Sequence, residues 1–526
     1  MTTRTIAACM LLLMLMAGCT GSVNKGSQVA SPANDSSTDR QMIKRAQPIR
    51  VSAENTDAAE PVIAAGQDGT IFVAWVEHKE GGKSDLWLAH FNGEGKALRQ
   101  PLRVNPNMDE VTAWFGGPTA LAVAQDGSVY LGWTARAASE GHATTLYLSA
   151  SHDGGQSFAS PVKINDDSKP AVHGMQSLAV APDGRIYAAW LDERNITGPQ
   201  PSQKAEGHHM ESNREVFISS STDGGRSFSP NVRVASEVCP CCKTSLAVAT
   251  NGRLYVSWRQ VLPGDFRHIA VASSTDEGRT FSTRVIVSDD RWVLTGCPVS
   301  GPALEAGTDN VLRVLWYTAG DAGRSGLYWS ESRDGGRTFA PRQLLAGEST
   351  RGTPVLIANE GDNFTALWEG NAGDSPRVVA ARMTSGTTDA ARLIVADKAE
   401  LPVATIAGDR VFVAYIAKEG DRRSVQLIYA QKSKLYDAAQ PEDGSRPENQ
   451  VVTVTYRGVG IVEAVYPERK TIKLNHEEIK GYMDAMSMEF HLKDPSLLNS
   501  VTVGEHVDFT LEESAGIAQV TEIRQR

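Results

Sequence analysis

Three soft donors stand close together near the C-terminus: His476, Met486 and Met488. Side chains alternate along a strand, so the two methionines share one face. His476 follows a short strand-like segment at residues 471–474 and reaches them if the two segments pair. An imidazole with two thioethers is a soft, neutral donor set that suits Cu(I) or Ag(I) and holds hard cations poorly. The competing reading is ordinary core, the usual role of Met in a strand. On the residues alone both readings stand.

A second soft group lies mid-chain. Cys239-Pro240-Cys241-Cys242 is followed by Cys297, and His173, Met175, His208, His209 and Met210 precede it. Thiolates, imidazoles and thioethers in such number point to a soft-metal site. Structural disulfides compete, because four cysteines in an oxidising compartment pair readily. A Cys239–Cys297 bridge is easy to picture. Cys241 and Cys242 are adjacent, and a bridge between neighbours is strained, so two tidy disulfides fit less comfortably. Residues 208–210 also read as a solvated loop.

The elements that must position these groups are repeats. The pattern S-x-D-x-G-x-[ST]-F occurs at 151–158, 221–228, 274–281 and 332–339. Its chemistry is that of a tight turn, in which the Asp carboxylate accepts backbone N–H groups and Gly supplies positive φ. Apolar runs flanking Asp-Gly or Asn-Gly recur at 121–133, 178–190 and 246–258, with weaker copies near Pro61, Pro302, Pro354 and Pro402. Each reads as a β-hairpin. The turn pattern resembles the Asp-box (BNR) repeats of sialidase-like β-propellers. That resemblance implies an all-β propeller over residues 47–433, of seven blades, with six the alternative if one weak unit is misread. The last unit lacks its own fourth strand. Residues 48–52 resemble the fourth strands at 101–105 and 161–165, so the N-terminal strand is expected to close the ring and hide an open sheet edge. Propeller topology then puts the connections bearing Cys239, Cys297, His173 and residues 208–210 on one face.

Residues 434–450 lose the strand pattern and read as a linker. Residues 451–526 then alternate short strands (452–456, 460–466, 471–474, 486–491, 506–511 and 518–523), which suits a small OB-like barrel. Here the motif His476-Glu477-Glu478-Ile479, then Met486-Ser487-Met488-Glu489-Phe490, then Val503-Gly504-Glu505-His506-Val507-Asp508-Phe509 resembles the CusF-like periplasmic copper chaperones. The resemblance implies that His476, Met486 and Met488 are copper ligands. The family often carries Trp-Pro ahead of the Met pair, and this chain has Met483-Asp484. Met483 is therefore expected to supply a third thioether, giving a His/Met₃ site for Cu(I).

The chain has 526 residues, with 47 Gly, 24 Pro and a net charge of −10. Turn-rich β structure fits that composition, and the acidic balance argues against non-specific nucleic-acid binding. Arg4, the apolar run 6–16 and Met16-Ala17-Gly18-Cys19 resemble a bacterial lipoprotein signal. Residues 1–19 are thus expected to end in a lipidated Cys19, followed by a flexible tether at 20–46. The expected address is the cell envelope, lipid-anchored at the outer membrane and facing the periplasm.

The combined reading is an envelope protein that captures and stores or transfers Cu(I) in copper homeostasis or resistance. A copper exporter or an oxidase-assembly protein is a fitting partner. Two alternatives remain: a copper-dependent redox enzyme on the channel face, and a propeller that binds or hydrolyses glycans. No acid/base pair or nucleophile constellation stands out. The early Arg-Ile-Pro motif of sialidases is missing, since Pro48-Ile49-Arg50 falls in the expected outer strand.

Overall fold

In the computed structural model the Asp-box turns form as the sequence chemistry dictates. In the first, Oδ1 of Asp153 accepts the Gln156 and Ser157 amides at 2.8 and 3.0 Å, and Oδ2 accepts the Ser157 hydroxyl at 2.6 Å. The Ser151 hydroxyl donates to the same carboxylate at 2.7 Å and accepts the Gly155 amide at 2.8 Å. Gly155 has φ of 77°, and a Cβ there would lie 2.4 Å from Nε2 of His90 on the preceding blade. This glycine therefore answers both to backbone conformation and to close packing.

The structure describes residues 47–526 apart from 115, 137–142, 197–212, 294–298, 308, 321–324, 348–351, 359–362, 373–374, 385–391, 421, 434–452, 468–469, 478, 480–485 and 515–516. Within the hairpin at 178–190, Gly184 takes φ of 85° and its amide donates to the Ala181 carbonyl at 2.9 Å. The strands it joins, His173–Val180 and Ile186–Asp192, pair antiparallel. Equivalent meanders build the ring, and their innermost strands come from Asp57–Ala65, Ala120–Val123, His173–Val180, Ser245–Val248, Ala303–Ala306, Val355–Ala358 and Ala399–Ala407. These strands line a central cavity of about 360 Å³ whose wall repeats proline at 61, 118, 302, 354 and 402. Second strands carry the large rings of the core. Trp75, Trp133, Trp190, Trp258, Trp316 and Trp368 are all fully buried between neighbouring blades.

Ring closure is carried by the N-terminal strand. Ile49–Arg50 pairs antiparallel with Arg422–Gln431, Ile49 opposite Leu427. Val51 is buried in the cluster formed with Val425 and Leu427, and its amide donates to the Val425 carbonyl at 2.9 Å. Arg423 reaches Asp57 at the start of the first blade, at 2.6 Å. The outer strand of the last blade thus comes from the other end of the sequence, and no edge is left open there.

The C-terminal domain is a closed five-stranded barrel: Thr453–Tyr466, Thr471–His476, Met486–Leu492, Ile517–Gln525 and His506–Ser514 in that spatial order. One expectation is corrected here. The segments 452–456 and 460–466 are a single strand, not two. Gly458 and Gly460 are both extended within the ladder. A Cβ at Gly458 would stand 2.3 Å from the Phe509 ring, so glycine is needed there for close approach rather than for a turn. The long strand serves two partners. Residues 453–461 pair with His506–Ser514, and residues 460–466 with Thr471–His476. Among the described residues, no helix is long and apolar enough to cross a membrane.

Candidate functional site

In the barrel, Thr471–His476 pairs with Met486–Leu492 so that His476 lies directly opposite Met486, and Leu474 opposite Met488. Phe490 is buried, as are Ile472 and Leu474 on the strand across from it. His476 is 2% exposed, and its ring packs 5.6 Å from Phe490 and 6.2 Å from Phe509, centroid to centroid. Its Nδ1 faces the Glu477 carbonyl at 2.7 Å. A carbonyl only accepts, so Nδ1 carries the hydrogen and Nε2 is the nitrogen that can offer a lone pair. Glu477 is itself pinned, its amide donating to the Val459 carbonyl at 2.9 Å. The long first strand therefore fixes the tautomer of His476 through one intermediate residue. Met483 lies outside the described residues. His491 and His506, on the same domain, are exposed.

The mid-chain cysteines are positioned by an unusual strand. Val232–Val238, the fourth strand of the third blade, runs on until Val238 pairs with Gln260 of the next blade. Cys239 follows, its amide donating to the Arg259 carbonyl at 2.9 Å, and the Pro240 carbonyl accepts from Arg214 at 2.8 Å. The loop is thereby drawn inward, and Cys239, Cys241 and Cys242 are buried with their sulfurs within 4.8 Å of one another. Cys239 and Cys242 are free thiols, whereas Cys241 is disulfide-bonded. The Cys239–Cys297 staple pictured from sequence is therefore not formed, because Cys239 keeps its thiol and uses it in a hydrogen bond from Cys242 at 3.6 Å. That bond, with Arg267 and Arg259 nearby, draws the Cys239 thiol below its ordinary range against the opposing effect of burial, and burial pushes Cys242 up.

Met175 packs in the same buried cluster as the three cysteines. His173 does not join them. Its Nδ1 lies 2.5 Å from the Thr144 carbonyl and its Nε2 3.1 Å from Asp167, hard oxygen neighbours that suit a held imidazole rather than a soft ion. Cys19, Cys297, His208, His209 and Met210 lie outside the described residues. The central cavity carries two ionisable side chains among its lining, Glu60 and Lys243. Lys243 borders that cavity deep in the ring, and loss of solvent pulls its ammonium down to about 8.

Residues 69–374, more than half of the 526-residue chain, match the BNR repeat-like domain. The chain belongs to that family. Residues 455–525 match the family described as copper binding periplasmic protein CusF, so a sialidase-like BNR propeller is followed by a CusF-like domain. None of the curated proteins matches the chain. Among solved structures, an ulvan lyase of polysaccharide lyase family PL25 is similar at 11% identity and a TM-score of 0.50, over 75% of this chain and 100% of that one. A Dyadobacter fermentans protein of unknown function is 14% identical, with a TM-score of 0.45, over 74% of this chain and 99% of its own. The NanB sialidase of Streptococcus pneumoniae is 12% identical, with a TM-score of 0.41, over 74% of this chain and 71% of its own. These likenesses concern the fold alone.

Within the BNR propeller, reading the sequence missed two groups beside the cysteines: Arg259 and Arg267, at 0% and 1% exposure. A signal was available. Arg259 directly follows the core Trp258, where the corresponding residues of other blades include Val76, Leu191 and Ile416. A cation in the middle of a fully buried strand marks a neighbour that wants positive charge.

Proposed function

We propose that the C-terminal barrel captures Cu(I) with His476, Met486, Met488 and Met483, and that the chain stores or passes on the ion in the cell envelope. The observation that carries this reading is the register of the barrel. It sets His476 opposite Met486 while the Glu477 carbonyl holds Nδ1, leaving Nε2 as the donor nitrogen. The donor set is neutral, so bound Cu(I) keeps its single positive charge and the ligands exchange easily. That suits a carrier better than a permanent cofactor site. The match to a family described as a copper binding periplasmic protein supports both the metal and an envelope address. Lipidation at Cys19, attachment at the outer membrane and hand-over to an exporter or oxidase-assembly protein complete the proposal.

The test is Cu(I) competition against a colorimetric chelator, under anaerobic and reducing conditions, on the full chain and on His476→Ala. The variant should lose more than the ~10–100-fold that removal of an outer-sphere partner costs a metal site. Equal affinity in the two proteins would sink the assignment.

A further inference from the structure

The propeller carries a second set of soft donors with its own electrostatic surroundings. Cys239 and Cys242 are free thiols with no exposed surface, and Cys242 donates its S–H to Cys239 Sγ at 3.6 Å. Cys241 Sγ lies 3.9 Å from Cys239 Sγ, but its disulfide removes it as a thiolate donor. The guanidinium groups of Arg259 and Arg267 are buried and close enough to act electrostatically on Cys239. Arg259 donates through Nε and Nη2 to the Ser300 and Tyr317 carbonyls, and Nη2 of Arg267 reaches Asp265 at 3.4 Å, while Nη1 of Arg259 and Nε and Nη1 of Arg267 have no hydrogen-bond partner. Buried cations short of acceptors are costly unless an anionic group sits among them.

We propose that Cys239 and Cys242 form a two-thiolate Cu(I) site inside the propeller, with Arg259 and Arg267 as its counter-charge. Binding replaces two thiol protons by one Cu(I), forming two Cu–S bonds and releasing both protons, with no change of oxidation state. The product carries a charge of −1, which the guanidinium groups balance. A first-row metal–thiolate bond is about 2.3 Å, so a bridged sulfur pair stands about 3.8 to 4.6 Å apart, and the observed 3.6 Å needs only a small widening. Zn(II) is disfavoured because it asks for four ligands. Among the described residues, three cysteine sulfurs group here with no imidazole or carboxylate, and the Met175 thioether packs in the same buried cluster. The choice of copper over another soft monovalent ion rests on the reading of the barrel above, while the two-thiolate site stands on its own residues.

The experiment uses the full chain in three forms: wild type, His476→Ala/Met486→Ala/Met488→Ala, and Cys239→Ser/Cys242→Ser. Each is loaded anaerobically with Cu(I) from a chelator-buffered solution, and bound copper and its X-ray absorption spectrum are measured. Wild type should take two equivalents and each variant one. The copper left in the barrel variant should show a sulfur-only shell of low coordination number. Because the serine variant could fail to fold, the barrel variant also serves in a thiol-protection assay. Cu(I) should shield Cys239 and Cys242 from alkylation during brief unfolding, read by mass spectrometry. One equivalent in wild type that vanishes in the barrel variant, with no thiol protection, overturns the propeller site and leaves the barrel reading intact. One equivalent in wild type that persists in the barrel variant overturns the barrel reading instead.

Discussion

Gly460→Ala tests whether the barrel backbone sets the copper site, because it alters no proposed ligand. Gly460 pairs directly with His476 across the first and second barrel strands. A Cβ there would stand 2.7 Å from the Asn475 carbonyl oxygen, 3.1 Å from the His476 Cα and 3.2 Å from its Cβ. All three atoms belong to or adjoin backbone, so no flexible side-chain tip can swing away, and the strand carrying His476 must shift. Overpacking of this kind costs about 1–3 kcal/mol. If copper binding requires the original His476 position, the same strain opposes binding, and 1.4 kcal/mol per tenfold converts it to a loss of about 5–150-fold. Chelator competition on Gly460→Ala, beside the control Gly174→Ala, where an added methyl meets nothing within 4 Å, measures that loss. Wild-type affinity in Gly460→Ala, with a lowered barrel melting temperature, would refute the idea that the paired strand positions the histidine.

The remaining expectations concern the scaffold. Val51→Ala removes two methyl groups from a buried position in the closing strand, and should cost about 1.5–2.5 kcal/mol in urea unfolding. An unchanged midpoint would mean that closure does not belong to the cooperative unit. The Asp-box carboxylates of Asp153, Asp276 and Asp334 are held well below their ordinary range by the Ser157, Thr280 and Thr338 hydroxyls, and Asp223 is drawn to about 2 by Ser227. Their folded values lie below the unfolded one, so their contribution is full above the unfolded value of ~3.9 and is lost as pH falls below it. Melting temperature should therefore hold between about pH 7 and 5 and drop below about pH 4. Asp223→Asn should flatten part of that drop, and an identical pH profile in the variant would count against the assignment.

Features set by short-range chemistry were legible in the sequence. The Asp-box is a local turn whose donors and acceptor lie within seven residues, so its sequence already contains its hydrogen bonds. Closure by Ile49–Arg50 was legible because its Pro-x-basic-apolar pattern repeats that of other fourth strands. The pairing of His476 with Met486 followed from two strands adjacent in sequence. What was not legible depends on register between distant segments. Cys239 is a free thiol that follows Val238, whose pairing with Gln260 of the next blade is encoded by nothing local to the cysteines. The continuity of the first barrel strand through Gly458 was hidden for the same reason, since that glycine serves close approach by the Phe509 ring, a contact that no local pattern displays.

The two proposed soft sites would differ in charge, and that difference would give them separate tasks. A His/Met set leaves Cu(I) as a buried monocation with neutral ligands, easily released to a stronger acceptor. The Cys239/Cys242 pair would make it an anion, with the buried guanidinium groups of Arg259 and Arg267 as counter-charge. Electrostatics thus favour flow from barrel to propeller, and the propeller would be the site of retention. Titrating the loaded chain with a chelator of graded strength tests the order. Copper should leave the barrel first, and His476→Ala should erase the early release while the late one remains. Early loss of the sulfur-only spectral signature would reverse the assignment, because a pocket that gives up copper before a thioether site gains nothing from its buried guanidinium groups.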